Sequence, residues 1–236
     1  MIKAIIFDCD GTLVDSEEAH YLSWRHALAK HGYELKAESY TSHFVGRGEA
    51  VLKIANDLVG YDCCEEVLKD KREFFHKSQQ EGLPPIAATL GFLHLLVKEK
   101  EKHGLKLAVA SGARKEEILH HLRGLGIEDL FDAVLSGQDD VLEYRDPEGT
   151  NKPKPYVYLK AAKMLGVAPE ECIAIEDSRS GVSAAVKAGC ITIAVPNRYT
   201  RGEDLSHAHF KLDSFAGLTV DDLFEKIEGL LAKEPN

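Results

Sequence analysis

Four short polar clusters in this sequence hold residue types that can do chemistry together. The first is Asp8-Cys9-Asp10-Gly11-Thr12. Side chains two apart in extended backbone point the same way, so Asp8 and Asp10 converge if the segment continues a strand, and Gly11 permits the turn that must follow. Alone, this pattern is shared by ordinary turns. Three further clusters change its weight: Ser111-Gly112, Lys152 within Asn151-Lys152-Pro153-Lys154-Pro155, and Glu176-Asp177-Ser178. Together they supply carboxylates, a hydroxyl beside backbone amides at a predicted helix start, and an ammonium group. That set suits phosphoryl transfer. Ser111 and the helix start can hold phosphate oxygens, and the lysine can offset charge in the transition state. The acidic residues would repel a phosphate unless a divalent cation lay between them, and an oxygen-only ligand set points to Mg2+.

For these groups to meet, the elements that carry them must end on one edge. Apolar runs at residues 4–7, 105–110, 133–135, 172–175 and 191–195, with a weaker one at 210–212, are apolar without alternation, as strands covered on both faces are. Between them Ile118, Leu122 and Leu125 keep the spacing of a helix face, and so do Tyr158, Ala162 and Leu165 before a stop at Gly166. This alternation predicts an α/β fold, a Rossmann-like core with a mainly parallel sheet whose strand carboxyl ends share one crevice. From about Glu17 to Pro84 the alternation breaks. Val51, Ile54, Ala55 and Leu58 recur at helical spacing, and residues 19–30 and 65–80 also read as helices. An inserted α-helical cap domain is therefore expected over residues 16–84, with residues 1–15 and 85–236 forming the core and Pro84-Pro85 marking the return.

In order and spacing the clusters resemble the four motifs of the haloacid dehalogenase superfamily, within it the subfamily that holds β-phosphoglucomutase and phosphoglycolate phosphatase-like enzymes. Asp8-x-Asp10-Gly11-Thr12 is similar to the first motif, Ser111 to the second and Lys152-Pro153-x-Pro155 to the third. The run from Glu176-Asp177-Ser178 through Gly181, Ala184, Ala185 and Ala188 to Gly189 is similar to the fourth, so the resemblance spans nearly the whole chain. It implies that Asp8 is the nucleophile that becomes an aspartyl-phosphate, and that Asp10 is the acid for the departing alkoxide and then the base for the acceptor. It also implies that Mg2+ is held by Asp8, the Asp10 carbonyl and Asp177 with Glu176 close behind, and that Thr12, Ser111, Gly112 and Lys152 bind the phosphoryl oxygens. Halide loss needs no protonated leaving group, so an aspartate at position 10 implies phosphate esters as substrates. The implied activity is a Mg2+-dependent phosphatase of a small phosphorylated metabolite. The alternative is a mutase of the β-phosphoglucomutase kind, which hands the phosphoryl group to a sugar instead of water. A non-catalytic protein on the same fold is a third reading. The presence of Asp8, Asp10, Lys152 and Asp177 together argues against it.

The insert falls where this subfamily carries a mobile cap that sets substrate choice. His20, Arg47 in Val45-Gly46-Arg47-Gly48, and Lys71 are the candidate cap contacts to substrate. The competing reading makes Arg47 and Lys71 solvated helix charges and Trp24 part of the cap's own core. Two departures from the family stand out. Tyr156 occupies the place of an aspartate that helps orient the third-motif loop, which puts the setting of Lys152 in question. Residues 138–151 are long and acidic, with Asp139, Asp140, Glu143, Asp146 and Glu148. Ordered near the crevice, they would disfavour strongly anionic substrates; as a surface loop they would not.

Composition bounds the rest. The 236 residues, 44% hydrophobic and 29% charged, suffice to bury a core. With 39 acidic residues against 29 basic and a formal charge of −10, nucleic acid is not an expected partner. No run approaches the roughly 18 apolar residues of a membrane span, and the apolar start is too short for a signal peptide, so a cytoplasmic protein with no membrane partner is expected. Nothing in the sequence assigns an oligomeric state. The five cysteines form no CxxC pair and are expected to be reduced and mostly buried. Among the eleven histidines, the close groups His120-His121 and His207-x-His209 lack metal-ligand spacing and read as solvated or core residues.

Overall fold

The computed structural model describes residues 2–43, 57–58, 60 and 64–232. Six strands, β1 (Ala4–Phe7), β2 (Lys106–Ser111), β3 (Ala133–Ser136), β4 (Cys172–Glu176), β5 (Ile191–Ala194) and β6 (Phe210–Lys211), form one sheet in the order β3-β2-β1-β4-β5-β6. Every neighbouring pair is parallel. The strands coincide with the predicted apolar runs to within one residue at each end. Open sheets of this order bind ligands beyond the strand carboxyl ends where the order reverses, and here the reversal is at β1. Phe7 pairs with Val109 of β2 and Ile175 of β4, so Asp8, Ala110 and Glu176 follow at the same level.

The helices are α1 (Ser16–Lys30), α2 (Ala37–His43), α3 (Cys64–Glu81), α4 (Ala87–His103), α5 (Lys115–Gly124), α6 (Tyr156–Leu165), α7 (Arg179–Ala188) and α8 (Val220–Leu231). Successive strand residues face opposite sides of the sheet, and both sides are filled. Ile5, Phe7, Leu107, Val109, Ile173 and Ile175 pack with Phe92 and Leu96 of α4, Ile118 and Leu122 of α5, and Leu223 and Ile227 of α8. The other face presents Ala4, Ile6, Ala108, Ala110 and Ala174 to Tyr158, Ala161 and Leu165 of α6 and to Ala184 and Ala185 of α7. Its many alanines bring α6 and α7, which follow the third and fourth clusters, close to the sheet. Gly166 ends α6 in the left-handed conformation, as its position predicts.

Helices α1 to α3 form a cap-like insertion between β1 and β2. Tyr21, Trp24, Ala27 and Leu28 of α1 pack against Leu35, Tyr40 of α2 and Val67 of α3, so Trp24 belongs to the cap's core. The two connections between cap and sheet run side by side: Asp15 N donates to Pro84 O at 2.8 Å and Ile86 N to Leu13 O at 2.9 Å. Arg47 and the helical positions Val51, Ile54 and Ala55 lie outside the described residues. Cys9, Cys172 and Cys190 are free and buried. Among the described residues no helix is long and apolar enough to cross a membrane.

Candidate active site

Beyond β1, the Asp8 amide donates to Ile175 O at 2.9 Å, which ties its backbone to β4. Lys152, arriving on the crossover from β3 to β4, donates from Nζ to Asp8 Oδ1 and Glu176 Oε1, each at 2.6 Å, and to Ala110 O at 2.9 Å. Its three acceptors lie at the carboxyl ends of β1, β4 and β2. Lys152 is thus firmly seated without the family's loop aspartate. Tyr156 instead donates its hydroxyl to Asp146 Oδ2 at 2.8 Å, and Lys154 pairs with Asp146 at 3.1 Å and Glu148 at 2.8 Å. The remaining loop acids are also answered locally. Asp140 pairs with Lys115 Nζ at 2.9 Å, Asp139 accepts the Lys115 amide at 2.7 Å, and Glu143 pairs with Lys160. The acidic stretch is a surface loop whose acids are paired by lysines outside it, Lys115, Lys154 and Lys160.

Asp8, Glu176 and Asp177 are all buried, with carboxylate oxygens within 4.8 Å of one another. Burial, opposed by Lys152 but reinforced by Glu176 and Asp10, pushes Asp8 up to about 8. Burial together with Asp8 and Glu176 raises Asp177 well above the usual carboxylate range. Burial disfavours charge on Lys152, yet Asp8 and Glu176 outweigh it and hold the ammonium charged. One ammonium does not balance three buried carboxylates, and the oxygen-only set fits a hard divalent cation. Two glycines make the space. Gly11 has φ +80°, and a Cβ there would lie 2.5 Å from Asp177 Oδ2; a Cβ on Gly181 would lie 1.9 Å from Glu176 Oε2.

Ser178, from the fourth cluster, and three partners not singled out from the sequence, Asn197, Thr200 and Tyr158, complete this cluster. Asn197 Nδ2 donates to Asp177 Oδ2 at 2.8 Å and Thr200 Oγ1 to the same oxygen at 3.3 Å. The Tyr158 hydroxyl donates to Glu176 Oε1 at 2.6 Å, and Ser178 Oγ to Glu176 Oε2 at 3.3 Å. The strand-end reasoning that found Ser111 could have found Asn197, which follows β5 in the same way. Tyr158 gave no such signal, because its helical spacing already explained it as core.

Around Asp10 the geometry differs. Its side chain is 34% exposed. Ser111 Oγ donates to Asp10 Oδ2 at 3.2 Å and accepts the Ala113 amide at 3.0 Å, so the turn through Gly112 into α5 is held against the first loop. Thr12 Oγ1 is buried with no hydrogen-bond partner among the described residues. His121, expected to be a core or solvated residue, is buried but lies at the site: its Nδ1 is 4.0 Å from Asp10 Oδ1. Burial lowers its pKa against the pull of Asp10.

In the cap, the structure brings His20 and Lys71 together. His20 stacks on Phe75 with ring centroids 3.9 Å apart, and its Nδ1 is 3.1 Å from Lys71 Nζ. Burial and the neighbouring Lys71 hold His20 down to about 3, and burial, countered by Glu17, lowers Lys71 to about 8. Lys71 is therefore not the freely solvated charge of the competing reading. A second cap contact comes from the core loop after β5, where Arg198 and Tyr199 both bind Glu18 of α1.

Residues 2–189 match the family of haloacid dehalogenase-like hydrolases. The phosphorylated carbohydrates phosphatase of Thermotoga maritima is 31% identical over 196 residues, covering 80% of this chain and 82% of its own. Among solved structures, β-phosphoglucomutase from Clostridium difficile matches with a TM-score of 0.72 at 25% identity, over 99% of this chain and 100% of that one. A CbbY variant from Rhodobacter sphaeroides, in complex with xylulose-1,5-bisphosphate, matches with a TM-score of 0.70 at 28% identity, over 94% and 99% of the two chains.

Proposed function

The chain belongs to the haloacid dehalogenase-like hydrolase family, and from that footing we propose that it is a magnesium-dependent phosphatase of a small phosphorylated metabolite, working through an aspartyl-phosphate. The observation that carries this reading is the seating of Asp8, at 2.6 Å from Lys152 and within a buried ring of carboxylates. Phosphorylated carbohydrates lead the candidate substrates, because the Thermotoga phosphatase acts on them and the CbbY structure holds a sugar bisphosphate.

An Asp8 carboxylate oxygen attacks phosphorus while the bond from phosphorus to the ester oxygen breaks, and Asp10 gives that oxygen its proton. Water then attacks the aspartyl-phosphate, its proton passes to Asp10, and inorganic phosphate leaves with Asp8 restored. Lys152, which donates to Asp8, offsets charge on the phosphoryl oxygens, and Thr12, whose hydroxyl has no partner among the described residues, receives them with Ser111 Oγ and the Gly112 amide. Bound by Asp8, the Asp10 carbonyl and Asp177, with Glu176 behind, Mg2+ supplies the positive charge that lets an anionic ester approach these carboxylates. The cap over residues 16–84, carrying His20, Arg47 and Lys71, governs which ester is admitted to the core of residues 1–15 and 85–236.

The test is a phosphate-release screen over sugar phosphates, phosphoglycolate and nucleotides in Mg2+, with Asp8→Asn and Asp10→Ala as controls. Release from one ester class, lowered about a thousandfold or more by Asp8→Asn, is expected. Release by Asp8→Asn at the wild-type rate would overturn the reading. The mutase alternative shares this core across nearly the whole length of the Clostridium enzyme. Glucose 6-phosphate formed from β-glucose 1-phosphate with trace bisphosphate would replace the phosphatase by the mutase, and free phosphate alone would exclude it as the main activity.

A further inference from the structure

One buried polar group at the site has no part in the chemistry above. His121 lies on α5, its side chain 3% exposed, and its Nδ1 has no hydrogen-bond partner among the described residues. That nitrogen lies 4.0 Å from Asp10 Oδ1, the carboxylate oxygen that Ser111 does not hold; Ser111 Oγ donates to Oδ2. The other ring nitrogen, Nε2, faces the side-chain amide nitrogen of Gln79 at 3.5 Å. Gln79 is itself 8% exposed and sits near the end of cap helix α3, where His120 Nε2 also grips its backbone carbonyl at 2.8 Å. Two adjacent histidines of the core thus clasp one residue of the cap, and one of them continues to Asp10.

With the Gln79 amide nitrogen turned to His121, Nε2 accepts, and a neutral imidazole then carries its proton on Nδ1, the nitrogen 4.0 Å from the Asp10 carboxylate. Closing the gap by about 1 Å would make this a normal hydrogen bond. We propose that His121 is a positioning residue that holds Asp10 in line for proton transfer, and that Gln79 sets it in that role only when the cap is seated on the core. Cap closure would then do more than exclude water. It would place the acid as well, so that proton transfer to the leaving group is efficient only over an enclosed substrate. The inference rests on the reading of Asp10 as the general acid.

The experiment measures kcat/KM for p-nitrophenyl phosphate, phenyl phosphate and an alkyl phosphate drawn from the release screen, esters whose leaving groups grow steadily more basic and more dependent on an acid. The variants are His121→Ala, His121→Asn, Gln79→Ala and Asp10→Asn. With His121→Ala we expect kcat/KM to fall about tenfold or more for the alkyl ester and less than about threefold for p-nitrophenyl phosphate, in the same direction as Asp10→Asn. Gln79→Ala should show the same tilt more weakly. His121→Asn, whose amide nitrogen sits one bond from Cγ as Nδ1 does, should recover part of the alkyl activity. Should His121→Ala not fold, His121→Asn and Gln79→Ala carry the test against Asp10→Asn. Equal losses for all three esters, with a steep profile in Asp10→Asn, would overturn the role of His121 alone. A flat profile in Asp10→Asn would instead overturn the acid reading, and this inference with it.

Discussion

Tyr158 is a core residue by its ring and a site residue by its hydroxyl. It is fully buried against the alanines of β1, β2 and β4, and its hydroxyl lies 2.6 Å from Glu176 Oε1, the oxygen that Lys152 also binds. Removing the hydroxyl leaves a buried charged acceptor short of one donor. Tyr158→Phe is therefore expected to lose about 1.5–3 kcal/mol in urea denaturation, with a fall in phosphate release as Glu176 and Lys152 loosen. Gly181 is demanding for the opposite reason, since any Cβ there would overlap the Glu176 carboxylate, 1.9 Å away. Gly181→Ala must displace that carboxylate and, through it, Lys152. Phosphate release should drop about a hundredfold, which steady-state kinetics on the best substrate would show. Neither dependence was legible from residue type, because a tyrosine at core spacing and a glycine early in a helix each have an ordinary explanation.

At the scale of elements, α1 and α3 were readable as helices, but their pairing was not. Helical spacing marks which residues face inward without saying which helix they meet. The pairing places Lys71 of α3 beside His20 of α1 and over the Phe75 ring, 4.7 Å from its centroid, where burial lowers the lysine from its ordinary value of 10.5 to about 8. Between those two values the unfolded chain binds more protons than the folded one at this site, so this site's contribution to stability rises with pH across that window. Below about pH 8 the lysine is charged in both states and contributes no slope. Urea midpoints for wild type and Lys71→Met, compared between about pH 7 and about pH 9.5, should show wild type gaining on the variant only above about pH 8. A constant difference would mean that Lys71 is not held in this buried pair. The loop after β5 works between elements too. Asn197 and Thr200 fasten Asp177 while Arg198 and Tyr199 fasten Glu18, so one turn joins the acidic cluster to the cap.

For the whole molecule, the net charge of −10 is an overall excess, and its sharpest expression is three buried carboxylates around a single ammonium. That imbalance costs folding free energy which a bound divalent cation would relieve. Mg2+ at about a hundred times its dissociation constant should stabilise the fold by about 2.7 kcal/mol, seen as a rise in melting temperature that EDTA reverses and Asp177→Asn abolishes. An equal rise in the variant would place the ion elsewhere. The strands, most of the helices, the insertion after β1 and the order of the polar clusters were set by the sequence itself. These depend on the run and period of apolar residues and on turn residues at their ends, which are properties of neighbours along the chain. Contacts across the sheet were decided only by tertiary packing. Lys152 reaches Asp8 across 144 positions, Asn197 reaches Asp177 from the loop after the neighbouring strand, and His121, without any local mark of function, is brought near Asp10 by α5. Those distances depend on how closely α5, α6 and the cap helices approach the strand ends, and that approach follows from side-chain volumes on facing elements far apart in the chain.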